Sequence, residues 1–118
     1  MEMYRFDAEV GRNVDRFESS GFTIAGILQV RRGAVLNCAF LSAGGTIGRH
    51  QAASPQLMLV VNGEGWVKAD DTDRIPIRAG QAAFWKQDEW HESGSEAGMT
   101  AIILEGPKLD PAAFMPPL

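Results

Sequence analysis

Cysteine is almost absent. Cys38 stands alone, which excludes an internal disulfide and any metal site built on paired cysteines. It lies in an apolar run and reads as a buried structural thiol, not a nucleophile. Histidine is scarce as well: His50 and His91 are the only two. No apolar run reaches the length that spans a bilayer, so no membrane is expected as a partner. No stretch of about 11 residues or more carries apolar residues at helical spacing. Positive charge is in the minority, with 11 Lys and Arg against 15 Asp and Glu for a net charge of -4. That balance argues against nucleic acid, whose phosphates need a basic footprint. The nearest approach to a basic patch, Arg31 and Arg32 beside Gly33, reads as a solvated hairpin end. The opening residues, with Glu2, Arg5, Asp7 and Glu9, predict no signal peptide and a cytoplasmic location.

What is present suits one small globular domain. The chain has 118 residues, of which 45% are hydrophobic and 22% charged. A domain of this length buries roughly two-thirds of its unfolded surface, enough for a core without disulfides. Residues 1–21 mix charge with Tyr4, Phe6, Val10, Val14 and Phe17 and read as an arm laid across the domain. From Phe22 onward, short apolar runs alternate with turn residues. Runs are expected at 22–30, 34–41, 46–50, 56–61, 65–69, 74–77, 82–85, 90–93 and 99–104. A loop is expected at 42–45, a two-residue hairpin turn at Asn62–Gly63 and a charged turn at 70–73. Breaks at roughly 8–12 residue spacing signal an all-β sandwich or barrel. One helical signal comes late: Asp110 as a cap and Pro111 at the first helical position, with Phe114 or Met115 filling a surface groove. The expected division is an arm at 1–21, a barrel at 22–106 and a tail at 107–118 that packs on the barrel. The apolar side chains of the arm also suggest a homodimer that would cover them and protect an edge strand.

Both histidines fall at borders between polar loops and β segments. In a strand over 56–61, Gln56, Met58 and Val60 share one face, and Leu57, Leu59 and Val61 the other. Both faces are expected to be covered. Gln56 is then the odd residue, because a polar group on a covered face needs a partner. A pocket lined by His50, Gln56, Met58 and His91, with Trp90 at its rim, would supply one. Trp85 is expected in the core. Histidine is the commonest metal ligand and a natural acid or base near neutral pH. The plain alternative is that both histidines are structural, since a chain of this length carries two by chance.

Over residues 34–105 the chain resembles a small single-domain cupin, the double-stranded β-helix or jelly-roll class. Gly44 or Gly45 leads to His50, and the stretch from Gln56 through Val61, Asn62 and Gly63 to Gly65 is similar to the first cupin motif. Gly80 opens the second, and His91 falls at its histidine. The resemblance implies a jelly-roll barrel with the two histidines in its central pocket. It also implies a divalent transition metal (zinc, iron, nickel, manganese or copper) held by His50, Gln56 and His91. The set departs from the family pattern: Ala52 stands at the second histidine position, Gln56 at the glutamate, and Lys86 and Asp88 at the proline and glycine of the second motif. Two imidazoles and an amide bring no charge to offset a dication, so any metal is expected to be weakly held. The leading functional reading is therefore a cupin-like protein that binds a small molecule in its pocket. The alternative is a metal-dependent enzyme of oxygenase, isomerase or lyase type acting on a small polar or aromatic substrate. A mainly structural module is the third.

Overall fold

Short runs in which side chains point alternately inward and outward build more than half of the chain into strands. The computed structural model describes residues 4–5, 8–30, 33–113 and 115–118, with the side chains of 27–30 set aside. The expected turn at Arg31 and Arg32, and the roles given to Phe6 and Phe114, lie outside the described residues. Eight strands run in order: β1 (Arg12–Asn13), β2 (Ser20–Val30), β3 (Ala34–Gln51), β4 (Gln56–Ala69), β5 (Ile75–Arg78), β6 (Ala82–Trp85), β7 (Trp90–Gly94) and β8 (Met99–Glu105). Among the described residues there is no α-helix, only 3-10 turns at Ala8–Val10, Arg16–Glu18 and Pro111–Ala113. No helix among the described residues is long and apolar enough to cross a membrane.

All pairings are antiparallel. Two long strands do the closing. The first half of β3 pairs with β2 and β8, and its second half with β7. The first half of β4 pairs with β8 and β6, and its second half with β7 and β5. The circuit β3–β8–β4–β7–β3 therefore closes into a barrel of jelly-roll type, with β1 and β2 added outside β3. Its core includes Phe22, Leu41, Ile47, Met58, Trp85 and Ile103.

Two expected breaks are strand interior instead. Residues 42–45 do not form a loop, because Gly44 N–H donates to the Ser95 carbonyl and Ser95 N–H to the Gly45 carbonyl, which keeps the backbone paired through the small residues. Asn62–Gly63 is not a hairpin turn. Gly63 does take a positive φ of 79°, but it serves a β-bulge: the register of β4 on β8 slips between Val60 and Asn62. A bulge bends its strand, and here the bend carries β4 from one side of the barrel to the other. A Cβ on Gly63 would lie 2.3 Å from the Gly98 carbonyl oxygen. The outer face of β4 is covered only in part. Leu57 is buried beside the C-terminal tail, where Met115 lines the same cleft, whereas Val61 is 54% exposed.

Candidate functional site

Register decides which side chains meet inside the barrel. His50 on β3 lies opposite His91 on β7. Gln56 on β4 lies opposite Glu105 on β8, and Met58 opposite Ile103 one step deeper. Partners in register share a face, so these residues converge on one end of the interior. A cavity of about 320 Å³ opens there. Met58 and Ile103 are buried at its floor, and His91 and Gln56 are 5% and 7% exposed. A larger open groove of about 740 Å³ lies at the other end of the β4–β8 ladder, by Gly63 and Met99, and contains neither histidine.

The polar groups pair with one another. The His50 and His91 Nε2 atoms are 3.1 Å apart, and His50 Nδ1 is 2.7 Å from the Gly48 carbonyl oxygen. A carbonyl only accepts, so Nδ1 of His50 carries the proton; in the neutral ring Nε2 is bare and accepts from His91 Nε2–H. Burial, together with the neighbouring His50, lowers the His91 pKa from 6.5 to about 4, so this ring is neutral at physiological pH. The Trp85 ring meets it edge-on at 4.5 Å. Across the cavity, the Gln56 amide donates to Glu105 Oε1 at 2.5 Å.

The arm covers this end. Phe17 stacks on the His50 ring, with centroids 4.5 Å apart and planes 13° from parallel. Phe17 and Glu18 both take φ of 58°, a left-handed conformation that costs non-glycine residues on the order of 1–2 kcal/mol each. The strain is held in place by close anchoring. Gly48 N–H donates to the buried Ser19 Oγ at 2.9 Å, and a Cβ at Gly48 would fall 1.5 Å from the Phe17 carbonyl oxygen. Only glycine lets β3 pass under the arm this closely. Arg12 and Arg16, also from the arm, line the cavity at its exposed side.

The structure thus brings together His50, Gln56, Met58 and His91. It places Trp90 elsewhere: Trp90 lies opposite Gln51 and shares the outer face, where it is 39% exposed beneath the Arg49 guanidinium at 4.1 Å. Alternation along β7 forces this, since its neighbour His91 points inward. Arg49 is fixed over it by both Asp70 oxygens, at 2.8 and 2.5 Å. Glu89 also stays out, because its carboxylate accepts from Lys86 N–H within its own turn. Glu105 was missed, as were Arg12, Arg16 and Phe17. The signal for Glu105 was present: Met99, Ala101 and Ile103 alternate inward along β8, and the next residue in that series is 105.

As a metal centre the set falls short. Among the described residues no three His, Cys, Asp or Glu side chains are grouped to hold an ion. The two Nε2 atoms converge, but the Gln56 side chain offers only a neutral amide oxygen beside them, and two neutral imidazoles with an amide leave a dication uncompensated. The residues do not fit a resident metal.

No protein-family model and no curated protein sequence matches the chain. Solved structures do. A cupin-like protein from Thermotoga maritima superposes with a TM-score of 0.75 at 11% identity, over 90% of this chain and 81% of that one. The polyketide cyclase RemF from Streptomyces resistomycificus gives 0.75 at 16% identity, over 93% and 83%. KdgF from Halomonas sp. gives 0.72 at 18% identity, over 92% and 97%. The chain is a small cupin-fold protein, all-β with a jelly-roll barrel, as the resemblance implied.

Proposed function

We propose that this protein binds a small molecule in the barrel cavity, with His50, Gln56, Met58 and His91 as its contacts. The observation that carries the reading is a set of buried and half-buried hydrogen-bonding side chains around a cavity of about 320 Å³, set above an apolar floor. Small-molecule sites have this make-up: mostly apolar walls, a few placed polar groups and a volume of roughly 300–1,000 Å³. Solved structures of the same fold include enzymes, the polyketide cyclase RemF among them, so turnover of the bound molecule is compatible with the reading. The test is a nuclear magnetic resonance screen of small organic acids, amides and sugars against the full chain. Binders should shift the His50, His91 and Trp85 ring signals, and His91→Phe or Gln56→Leu should weaken them about tenfold or more. Binding that leaves those rings unmoved would refute it.

The second reading, a metal-dependent enzyme of oxygenase, isomerase or lyase type, has one point in its favour: the 3.1 Å convergence of the two Nε2 atoms. Calorimetric titration of zinc and nickel into chelator-stripped wild type, His50→Ala and His91→Ala separates the two. Little heat from any of them is the expected result. Binding at micromolar or tighter affinity, lost in both variants, would favour the enzyme. A homodimer belongs to the same proposal, supported by Tyr4, Val10 and Phe17, which are 86%, 51% and 47% exposed on the arm. Light scattering at micromolar protein should give twice the chain mass.

A further inference from the structure

We propose that the ligand of this cavity is a small organic carboxylate, captured at the mouth by Arg12 and Arg16. The inference rests on the cavity being the binding site and adds the chemical class of what enters it. The protein as a whole is acidic, at a net -4, so random placement would not favour two guanidinium groups at the mouth of its histidine-lined cavity. Both line it, and both come from the arm, at positions 12 and 16. Among the described residues neither has an ion-pair partner: the salt bridges there join Arg5 to Glu9 and Arg49 to Asp70. Arg16 instead lies over the Phe17 ring at 4.9 Å, a contact that leaves its N–H edge open.

Two acidic residues, Glu92 and Glu105, line the same cavity. Glu105 accepts from Gln56. Glu92 also acts on Arg49, whose guanidinium pKa is raised chiefly by its hydrogen bond to Asp70 and only in small part by the Glu92 charge. Asp15 and Glu18, the acidic neighbours on the arm, do not line the cavity. Neither Glu92 nor Glu105 is ion-paired to Arg12 or Arg16 among the described residues, and guanidinium pairs with a carboxylate in planar, charge-assisted geometry. The floor asks for the opposite chemistry. Met58 and Ile103, with Phe22 and Ile47, offer only apolar contact. A ligand that satisfies both ends has an apolar body and one anionic group. The arm is fit to hold such a charge in place, because Ser19 and Gly48 pin it against β3 and Phe17 braces it on the His50 ring.

The experiment compares benzoate with benzamide, which share shape and differ in charge. Each is titrated into the full-length wild type at pH 7.5 and followed by the ring signals of His50, His91 and Trp85. Benzoate should bind about fivefold to tenfold tighter, the preference expected of two partly solvated guanidinium contacts, and the margin should shrink as salt is raised. The double variant Arg12→Gln/Arg16→Gln should bind both probes at the benzamide level, and Arg12→Lys/Arg16→Lys should keep part of the preference. Equal binding of the two probes to wild type, or a preference that survives in the glutamine variant, overturns the inference while leaving the cavity as the site. Failure of both probes to move the three rings overturns both the inference and the site.

Discussion

His91 makes the stability of the protein depend on pH over a defined window. Its pKa falls from 6.5 to about 4 on folding, chiefly because the ring is buried and secondarily because His50 stands beside it. The unfolded chain therefore binds a proton in a range where the folded chain does not. Stability rises with pH across that range and is lost on acidification from about 6.5 down to about 4. Between pH 7.5 and pH 5 the loss amounts to about 2 kcal/mol, approaching about 3 kcal/mol below the folded pKa. Domains of this size hold only about 5–15 kcal/mol in all, so the effect is large. Asp70, lowered by its bond to Arg49, has the same sign but acts below its usual 3.8, outside the window. The assay is urea unfolding at pH 7.5, 6, 5 and 4.5 for wild type and His91→Gln. Wild type should lose about 2 kcal/mol more than the variant between the first pH and pH 5. Parallel curves would show that the ring is not held neutral by burial and would remove the argument for a desolvated cavity wall.

Replacing Gln56 with glutamate sets two carboxylates where Gln56 and Glu105 now share a 2.5 Å hydrogen bond. One of them should take up a proton near neutral pH, so the variant should lose about 1–3 kcal/mol at pH 7.5 and regain part of it relative to wild type on acidification, as urea unfolding would report. Gly63→Val should cost at least about 2 kcal/mol, since φ is 79° and the Cβ meets the Gly98 carbonyl; a loss near zero would show that the bulge relaxes freely. Asp88→Gly should raise stability by about 0.5–1 kcal/mol in thermal unfolding, because Asp88 is exposed at φ 69°. A fall in midpoint temperature would mean that the aspartate side chain supports its turn.

The strands at 82–85 and from Trp90 and Met99 were legible because each is short, apolar in alternation and closed by turn residues. Residues 34–51 and 56–69 were not legible as single strands, for one physical reason. Small residues at 42–45 and the Asn62–Gly63 pair carry turn chemistry, but a closed barrel needs its long strands to bend, and bends use the same residues as turns. Local sequence does not separate the two, because the difference lies in whether a distant strand pairs across the bend. That His50 and His91 face one cavity is what the cupin resemblance implied; their hydrogen bond to each other was not legible. Nor was the arm over the cavity, since Phe17, Arg12 and Arg16 reach it through a chain reversal that no periodicity announces.

The departure at Gln56 has a structural answer. The cupin resemblance implies a carboxylate at that position, and the chain supplies an amide. A carboxylate is nevertheless present at the same level of the barrel, on the adjacent strand, as Glu105 opposite Gln56 in register. It is not grouped with the imidazoles into a three-membered cluster; one of its oxygens accepts from the Gln56 amide. The imidazoles bond to each other. The cavity wall is thus composed of two self-satisfied polar pairs, His50 with His91 and Gln56 with Glu105. A buried pair of this kind yields to a ligand only if the ligand replaces the bonds it breaks. An apolar molecule that merely fits the volume would leave both pairs intact and gain nothing from them. A molecule offering both a donor and an acceptor can exchange with either pair.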